Sequence, residues 1–345
     1  MSAGPSGGGP ASWTTDSSGA APTRSEPMGQ LGRYRLCAEL ASGGMGTVYL
    51  ARADGPHGFE KLVALKSIHP HLAKDRRFVE MFLDEARIAA RLSHPNVCAV
   101  IDFGEAGGTY YLTMPFLLGE SLHVVQRALR RSKDAELRAA SPFVIARLLA
   151  DACEGLHAAH ELRDERGEPL AVVHRDVSPQ NLFVGFEGTM SVLDFGVASA
   201  RHRLHSTATG EVKGKFSYAA PEQLESRPID RRADVWSLGV VLWEHAVQRR
   251  LFARDDAGAT IRAVLESPIP PLRELWPEAP LGLEEIVFRA LARDPARRYA
   301  TAREMGRDLL GFLSEEGQGI GPPHVADWLE RLMPDARAEK AKLIE

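Results

Sequence analysis

The stretch His174-Arg175-Asp176-Val177-Ser178-Pro179-Gln180-Asn181 sets a carboxylate and a carboxamide five residues apart. Thirteen residues beyond Asn181 a second carboxylate follows, in Asp194-Phe195-Gly196. Carboxylate and amide oxygens are hard donors suited to a small divalent cation, and a carboxylate can also take up a proton. Two carboxylates and one amide, if brought together, could hold a divalent cation and a phosphate group, the requirements of phosphoryl transfer.

Such a constellation needs rigid flanks. Leu170-Ala171-Val172-Val173 and Leu182-Phe183-Val184 are apolar runs on either side of the loop, and Ser191-Val192-Leu193 is a strand-like run that delivers Asp194. From Pro142 to His160 apolar residues recur at helical spacing (Val144, Leu148, Ala152, Leu156), predicting a buried helix beneath the loop. His157 and His160 then read as caps at its end. Nearer the N-terminus, Tyr34 to Leu40 is strand-like and Ala41 to Leu50 continues as glycine-rich turn and strand. Gly43, Gly44 and Gly46 would let backbone N–H groups approach phosphate oxygens with no Cβ in the way. Val63-Ala64-Leu65-Lys66 is a third strand, carrying one of eight Lys set against 34 Arg, and Phe82-Leu83-Asp84-Glu85-Ala86 opens a helical pattern in which Glu85 can face Lys66.

Together these motifs resemble the protein kinase superfamily, and the run from Gly43 to Tyr49 resembles its bacterial Hanks-type (eukaryotic-like) serine/threonine branch. The resemblance covers about Leu31 to Leu313. It implies an α+β, two-lobed protein kinase fold: a small antiparallel β-rich N-lobe with a control helix (31–114), a hinge (115–120) and a larger, mainly helical C-lobe (121–314). It also implies ATP and Mg2+. Asp176 would be the base, Asn181 and Asp194 the magnesium ligands, and Lys66 the contact to the α- and β-phosphates, held by Glu85. Ala41, Ser42, Gly43, Gly44, Met45, Gly46 and Val48 would cover the nucleotide, with Ala64 and Phe183 also in the binding set. Met114 would guard the back of the adenine pocket and Pro115 to Leu117 would form the hinge. Pro115 has no N–H, so the hinge donor is expected at Leu117. The ribose partner is Glu120 or Ser121.

The departures are informative. Ala41 stands where the family has its first loop glycine. Ser178 stands where the family has a Lys two residues after the Asp, and Lys215, in Gly214-Lys215-Phe216-Ser217-Tyr218, stands where it has a Thr. In the family those two side chains meet beside the base, so this chain reads as having exchanged them, with Lys215 and Ser178 in catalytic positions. The alternative is that Lys215 points to solvent and the chain is a nucleotide-binding pseudokinase or signalling scaffold with impaired transfer. Arg175 marks the subclass whose activation loop is phosphorylated, and Thr207 and Thr209 occupy the positions of self-phosphorylation, for which a homodimer is the natural arrangement. Asp234 is expected to brace the catalytic loop, and Glu222 to pair with Arg298. A protein-substrate segment from Asp194 to Glu222 implies protein substrates rather than small molecules.

Composition is consistent with this. The 345 residues are 44% hydrophobic, enough for two lobes, and a net charge of −4 supplies no field for nucleic acid or anionic lipid. Cys37, Cys98 and Cys153 are odd in number and form no Cys-x-x-Cys, which argues against a disulfide framework or zinc site and for a cytoplasmic setting. No run approaches a membrane span. Residues 1–30, mostly Gly, Ser, Pro and Ala, read as a disordered leader. The polar stretch from Glu161 to Pro169 reads as a surface loop, and in 315–345 Val325, Trp328, Leu329 and Leu332 form an amphipathic stripe that packs back on the domain.

Overall fold

Alternation along the strand Glu60–Ile68 decides how the small lobe is layered. Val63 and Leu65 join Tyr34, Ala51 and Tyr111 in one apolar cluster, while Ile68 joins Phe78, Phe82 and Leu112 in another on the opposite face. The computed structural model describes residues 28–44, 46–55, 60–195 and 216–344, apart from the side chains of Arg77, Met81 and Glu85. Strands β1 (Gly29–Leu31), β2 (Tyr34–Gly43), β3 (Gly46–Asp54), β4 (Glu60–Ile68), β5 (Asp102–Ala106) and β6 (Thr109–Pro115) form an antiparallel sheet ordered β1-β2-β3-β4-β6-β5. Helix α1 (Arg76–Arg91) supplies Phe78 and Phe82 to the face that also carries Lys66. It starts at Arg76, six residues ahead of the pattern seen from Phe82.

Residues 116–118 lead into the large lobe, where β7 (Gly119–Ser121), β8 (Leu182–Gly185) and β9 (Met190–Val192) pair in order. Around them stand α2 (Leu122–Arg131), α3 (Ala135–His160), α4 (Arg232–Val247), α5 (Ala257–Glu266), α6 (Leu281–Ala290), α7 (Ala302–Glu315), α8 (Pro322–Leu332) and α9 (Ala336–Lys342). α3 and α4 are the core of the lobe: Leu148, Leu149, Ala152 and Leu156 on one, and Val235, Trp236, Leu238 and Val240 on the other, have no exposure. Helices apolar over most of their circumference belong inside.

α3 begins at Ala135 rather than at Pro142. Asp134 is the stronger start signal, its Oδ1 accepting the N–H groups of Glu136 and Leu137 at 3.0 and 3.2 Å. Pro142 is carried within the helix and forfeits the bond to the Arg138 carbonyl. At the other end of the domain Val325, Trp328 and Leu329 of the α8 stripe are at most 6% exposed, Leu332 is half-buried, and the Trp328 indole N–H donates to the Leu137 carbonyl at 3.0 Å. Gly188 makes that docking feasible, since a Cβ there would lie 1.9 Å from the Pro322 carbonyl oxygen. β1 starts at Gly29, just inside the stretch read as a leader, and residues 1–27 lie outside the described residues. The 161–169 stretch is a short surface hairpin closed by an Arg163 to Pro169 bridge.

Candidate active site

The catalytic-loop backbone hangs on one buried carboxylate. Asp234, on α4 and wholly buried, accepts the His174 N–H on Oδ2 and the Arg175 N–H on Oδ1, each at 2.8 Å. His160 Nε2 lies 2.8 Å from the same Oδ2; a carboxylate only accepts, so that nitrogen carries the proton. Burial alone would raise the Asp234 carboxyl, but the His160 ring and the His174 N–H outweigh it and hold the group below the usual carboxylate range. His160 is therefore not the helix cap its position suggested. It faces inward because the end of α3 is packed on α4, and it completes the brace.

That brace holds a strained backbone. Arg175 has φ +64° and Asp194 φ +48°, a region side chains with a Cβ rarely adopt. The Arg175 carbonyl is held too, by Gln223 Nε2 at 3.1 Å. His174 then links the loop to the strand before Asp194: Nε2 donates to the Leu193 carbonyl at 2.9 Å, which leaves Nδ1 to accept the Asp176 N–H at 3.2 Å. Its ring lies 4.8 Å from that of Phe195, which is 1% exposed. Asn181 Nδ2 donates to the Asp176 carbonyl and the Leu193 N–H to the Asn181 carbonyl, both at 2.8 Å. Asp176, Asn181 and Asp194 are thus parts of one hydrogen-bonded unit.

Opposite them, strand register sets Lys66 between Val48 on β3 and Leu112 on β6, with Nζ 3.0 Å from Asp194 Oδ1. The expected partner Glu85 lies on α1, with its side chain outside the described residues. In the hairpin above, Ala41 faces Val48, Ser42 faces Thr47 and Gly43 faces Gly46. Gly46 is required by the β4 backbone, since a Cβ there would sit 2.0 Å from the Ser67 carbonyl oxygen. A Cβ on Gly43 would meet nothing within 4 Å among the described atoms. Met45 lies outside the described residues.

The family model for the protein kinase domain matches residues 34–308. The chain belongs to the protein kinase family. It is 45% identical over 291 residues to tyrosine-protein kinase MasK of Myxococcus xanthus, covering 84% of this chain and 44% of that one. To serine/threonine-protein kinase PknB of Mycolicibacterium smegmatis it is 35% identical over 309 residues, covering 87% and 45%. The chain spans less than half the length of these curated relatives. The crystal structure of the Mycobacterium tuberculosis PknI kinase domain matches with a TM-score of 0.61 at 25% identity, over 85% of this chain and 99% of that one. Such relatives place it in the bacterial Hanks-type branch.

In this kinase domain, register sets Ala64 opposite Met114 and Val63 opposite Pro115, and Phe183 between Ser121 and Ser191. Behind Met114 a small hollow is lined by Cys98, Leu112, Asp194 and Phe195. Burial, with the Asp194 charge adding to it, pushes the Cys98 thiol up to about 12. Leu117 is half-buried. The two ribose candidates both have partners: Glu120 Oε1 pairs with Lys340 Nζ at 3.2 Å, and Ser121 Oγ caps α2 by accepting the Val124 N–H at 3.4 Å. Lys340 lies in a tail helix with no motif and could not have been found from sequence.

The remaining kinase features divide between scaffold and departure. Glu222 and Arg298 form a buried two-pronged pair at 2.7 and 2.8 Å, as the motif implied. Tyr218 donates to Glu244 Oε2 at 2.8 Å, and burial with the Glu244 charge pushes its hydroxyl well up. Ser178 is 1% exposed, and its Oγ has no hydrogen-bond partner among the described residues. Lys215, Thr207 and Thr209 lie outside the described residues.

Proposed function

We propose that this chain is an ATP- and Mg2+-dependent protein kinase that transfers the γ-phosphate to Ser or Thr hydroxyls of protein substrates. The reading is carried by the unit of Asp176, Asn181 and Asp194 with Lys66 3.0 Å from Asp194. Asp176 accepts the proton of the attacking hydroxyl; that oxygen bonds to the γ-phosphorus as the bond to the β–γ bridging oxygen breaks, and ADP leaves. Lys66 holds the α- and β-phosphates, with Glu85 its partner in the active arrangement. The hairpin from Ala41 to Val48 covers the phosphates, and the adenine lies between Ala64 and Phe183 against Met114, Pro115 and Leu117.

The donor set suits Mg2+. Asn181 has committed its amide N–H to the Asp176 carbonyl, so its Oδ1 remains for a cation, and Asp194 adds a carboxylate. When bound there, Mg2+ would offset the phosphate charge. Lys215 would supply the cation that Ser178 cannot, and Thr207 and Thr209 would be self-phosphorylated through a homodimer, recruiting Arg175. Three free cysteines accord with a reducing cytoplasm, and among the described residues no helix is long and apolar enough to cross a membrane.

One observation favours a second acceptor. The relative at 45% identity is named a tyrosine-protein kinase, and this chain has Ser178 in place of the Lys usual in Ser/Thr kinases. Intact mass before and after Mg-ATP, beside Asp176→Ala, followed by phosphoamino-acid analysis, tests both. Phosphoserine or phosphothreonine in the parent alone supports the first reading, and phosphotyrosine the second. No mass gain on this chain or on a protein-substrate panel, with ATP still raising the melting temperature, would support the scaffold.

A further inference from the structure

The segment beyond the matched kinase domain touches both lobes. α8 is anchored on the large lobe by Val325, Trp328 and Leu329, and by Arg331, whose guanidinium meets Asp134 and Glu136 at 2.7 Å each. After Pro334 the chain enters α9, which has no buried residue and is held by two contacts on the helix and one just past it. Arg337 lies over the Phe186 ring with its carbon 6.0 Å from the centroid. Lys340 Nζ pairs with Glu120 at the exit of the hinge at 3.2 Å, with side-chain exposures of only 28% and 18%. Just past the helix, the Ile344 carbonyl accepts from Arg52 on β3 at 2.6 Å. β3 is the strand that carries Gly46 and Val48 over the nucleotide cleft.

We infer that α8 and α9 form a strap that fixes the angle between the lobes, with Lys340 a positioning residue for nucleotide binding. The inference rests on the kinase reading above. The strap is rooted in the large lobe through buried apolar contacts, and its far end grips the small lobe at β3, one arm of the phosphate-covering hairpin. Lys340 sits on α9 between root and grip, where it meets Glu120 of β7, the strand that leaves the hinge. Holding β3 and β7 together keeps the cleft near the closed geometry, so nucleotide does not have to meet the cost of closure. Pairing with Lys340 also orients the Glu120 carboxylate at the ribose end of the cleft. The hinge and hairpin remain the binding surfaces, and the strap acts through them.

The test compares the parent chain, Lys340→Glu, Lys340→Ala and Lys340→Arg. Affinity for Mg2+ and the non-hydrolysable analogue AMP-PNP is read by calorimetry, KM for ATP and kcat by turnover, and strap release by hydrogen exchange of α9 and β3. Lys340→Glu sets like charges face to face, and is expected to raise Kd and KM about three- to tenfold, the scale of a partly exposed ion pair reversed. kcat should change by less than about twofold, as for loss of uniform binding. Exchange should rise in both α9 and β3, Lys340→Ala should be intermediate, and Lys340→Arg should resemble the parent. Unchanged Kd and KM in Lys340→Glu, with the parent still phosphorylating, would overturn the strap and leave the kinase reading standing. A parent that binds no AMP-PNP would overturn both.

Discussion

His160 and Asp234, distant in sequence and both wholly buried, meet through Nε2–H and Oδ2 at 2.8 Å. The same carboxylate holds the N–H groups of His174 and Arg175, so one side chain on α4 keeps the left-handed turn at Arg175 in place. His160→Ala removes a donor from a buried carboxylate and should cost about 1–3 kcal/mol, read from the urea midpoint. kcat should fall as well, because the Asp176 backbone follows Arg175. Retained stability and full turnover would show that the other two donors suffice.

Arg298 satisfies all of its donors at once. Nε–H reaches the Ala292 carbonyl, one terminal nitrogen Glu222 Oε1 and the Arg232 carbonyl, and the other Glu222 Oε2 and the Arg293 carbonyl. A Lys keeps the charge but has no planar fork, so it cannot meet these acceptors together. Arg298→Ala leaves Glu222 buried and unpaired and should cost about 3–5 kcal/mol; Arg298→Lys should recover less than half of that. Chemical denaturation of the full chain measures both.

His245 gives the stability a pH dependence. Its Nδ1–H donates to the Val241 carbonyl at 2.8 Å, and Nε2 has no partner among the described residues. Burial pushes its pKa down from 6.5 to about 4, helped by the charges of Arg130 and Arg250. The unfolded chain therefore takes up a proton in a range where the native state refuses it. Its contribution is whole above about pH 6.5 and is lost as the pH falls towards 4, on the order of 3 kcal/mol in all. Melting curves at stepped pH should show a shallower acid decline for His245→Leu than for the parent; equal slopes would assign the decline to other groups.

Lys215→Ala is expected to lower kcat about 10²- to 10³-fold at saturating ATP, the usual effect of losing a preorganised donor at a transferring group. Adding Ser178→Lys should restore part of that rate. Ser178→Ala alone should shift stability by less than about 1 kcal/mol, because the buried Oγ has no hydrogen-bond partner among the described residues. Full activity of Lys215→Ala would end the idea that the two positions have exchanged roles.

Sequence alone determined where the candidate site residues fall and the strands that present them. Asp176, Asn181 and Asp194 stand at short, set distances within loops bounded by apolar runs, and period-two alternation on β4 puts Lys66 on the face shared with α1. The buried pair Glu222 and Arg298 was legible through motifs at either end. The early start of α3 was hidden because Pro142 looks like a first helical residue while Asp134 lies outside the apolar period. Three further relationships were decided only by the tertiary structure: His160 under Asp234, Lys66 on Asp194, and Lys340 on Glu120. Each joins residues from separate elements, and a side chain's partner across such a gap depends on the packing of whole helices and strands. Periodicity tells which face of an element is apolar; which polar group waits on the other side is written only in how the elements come together.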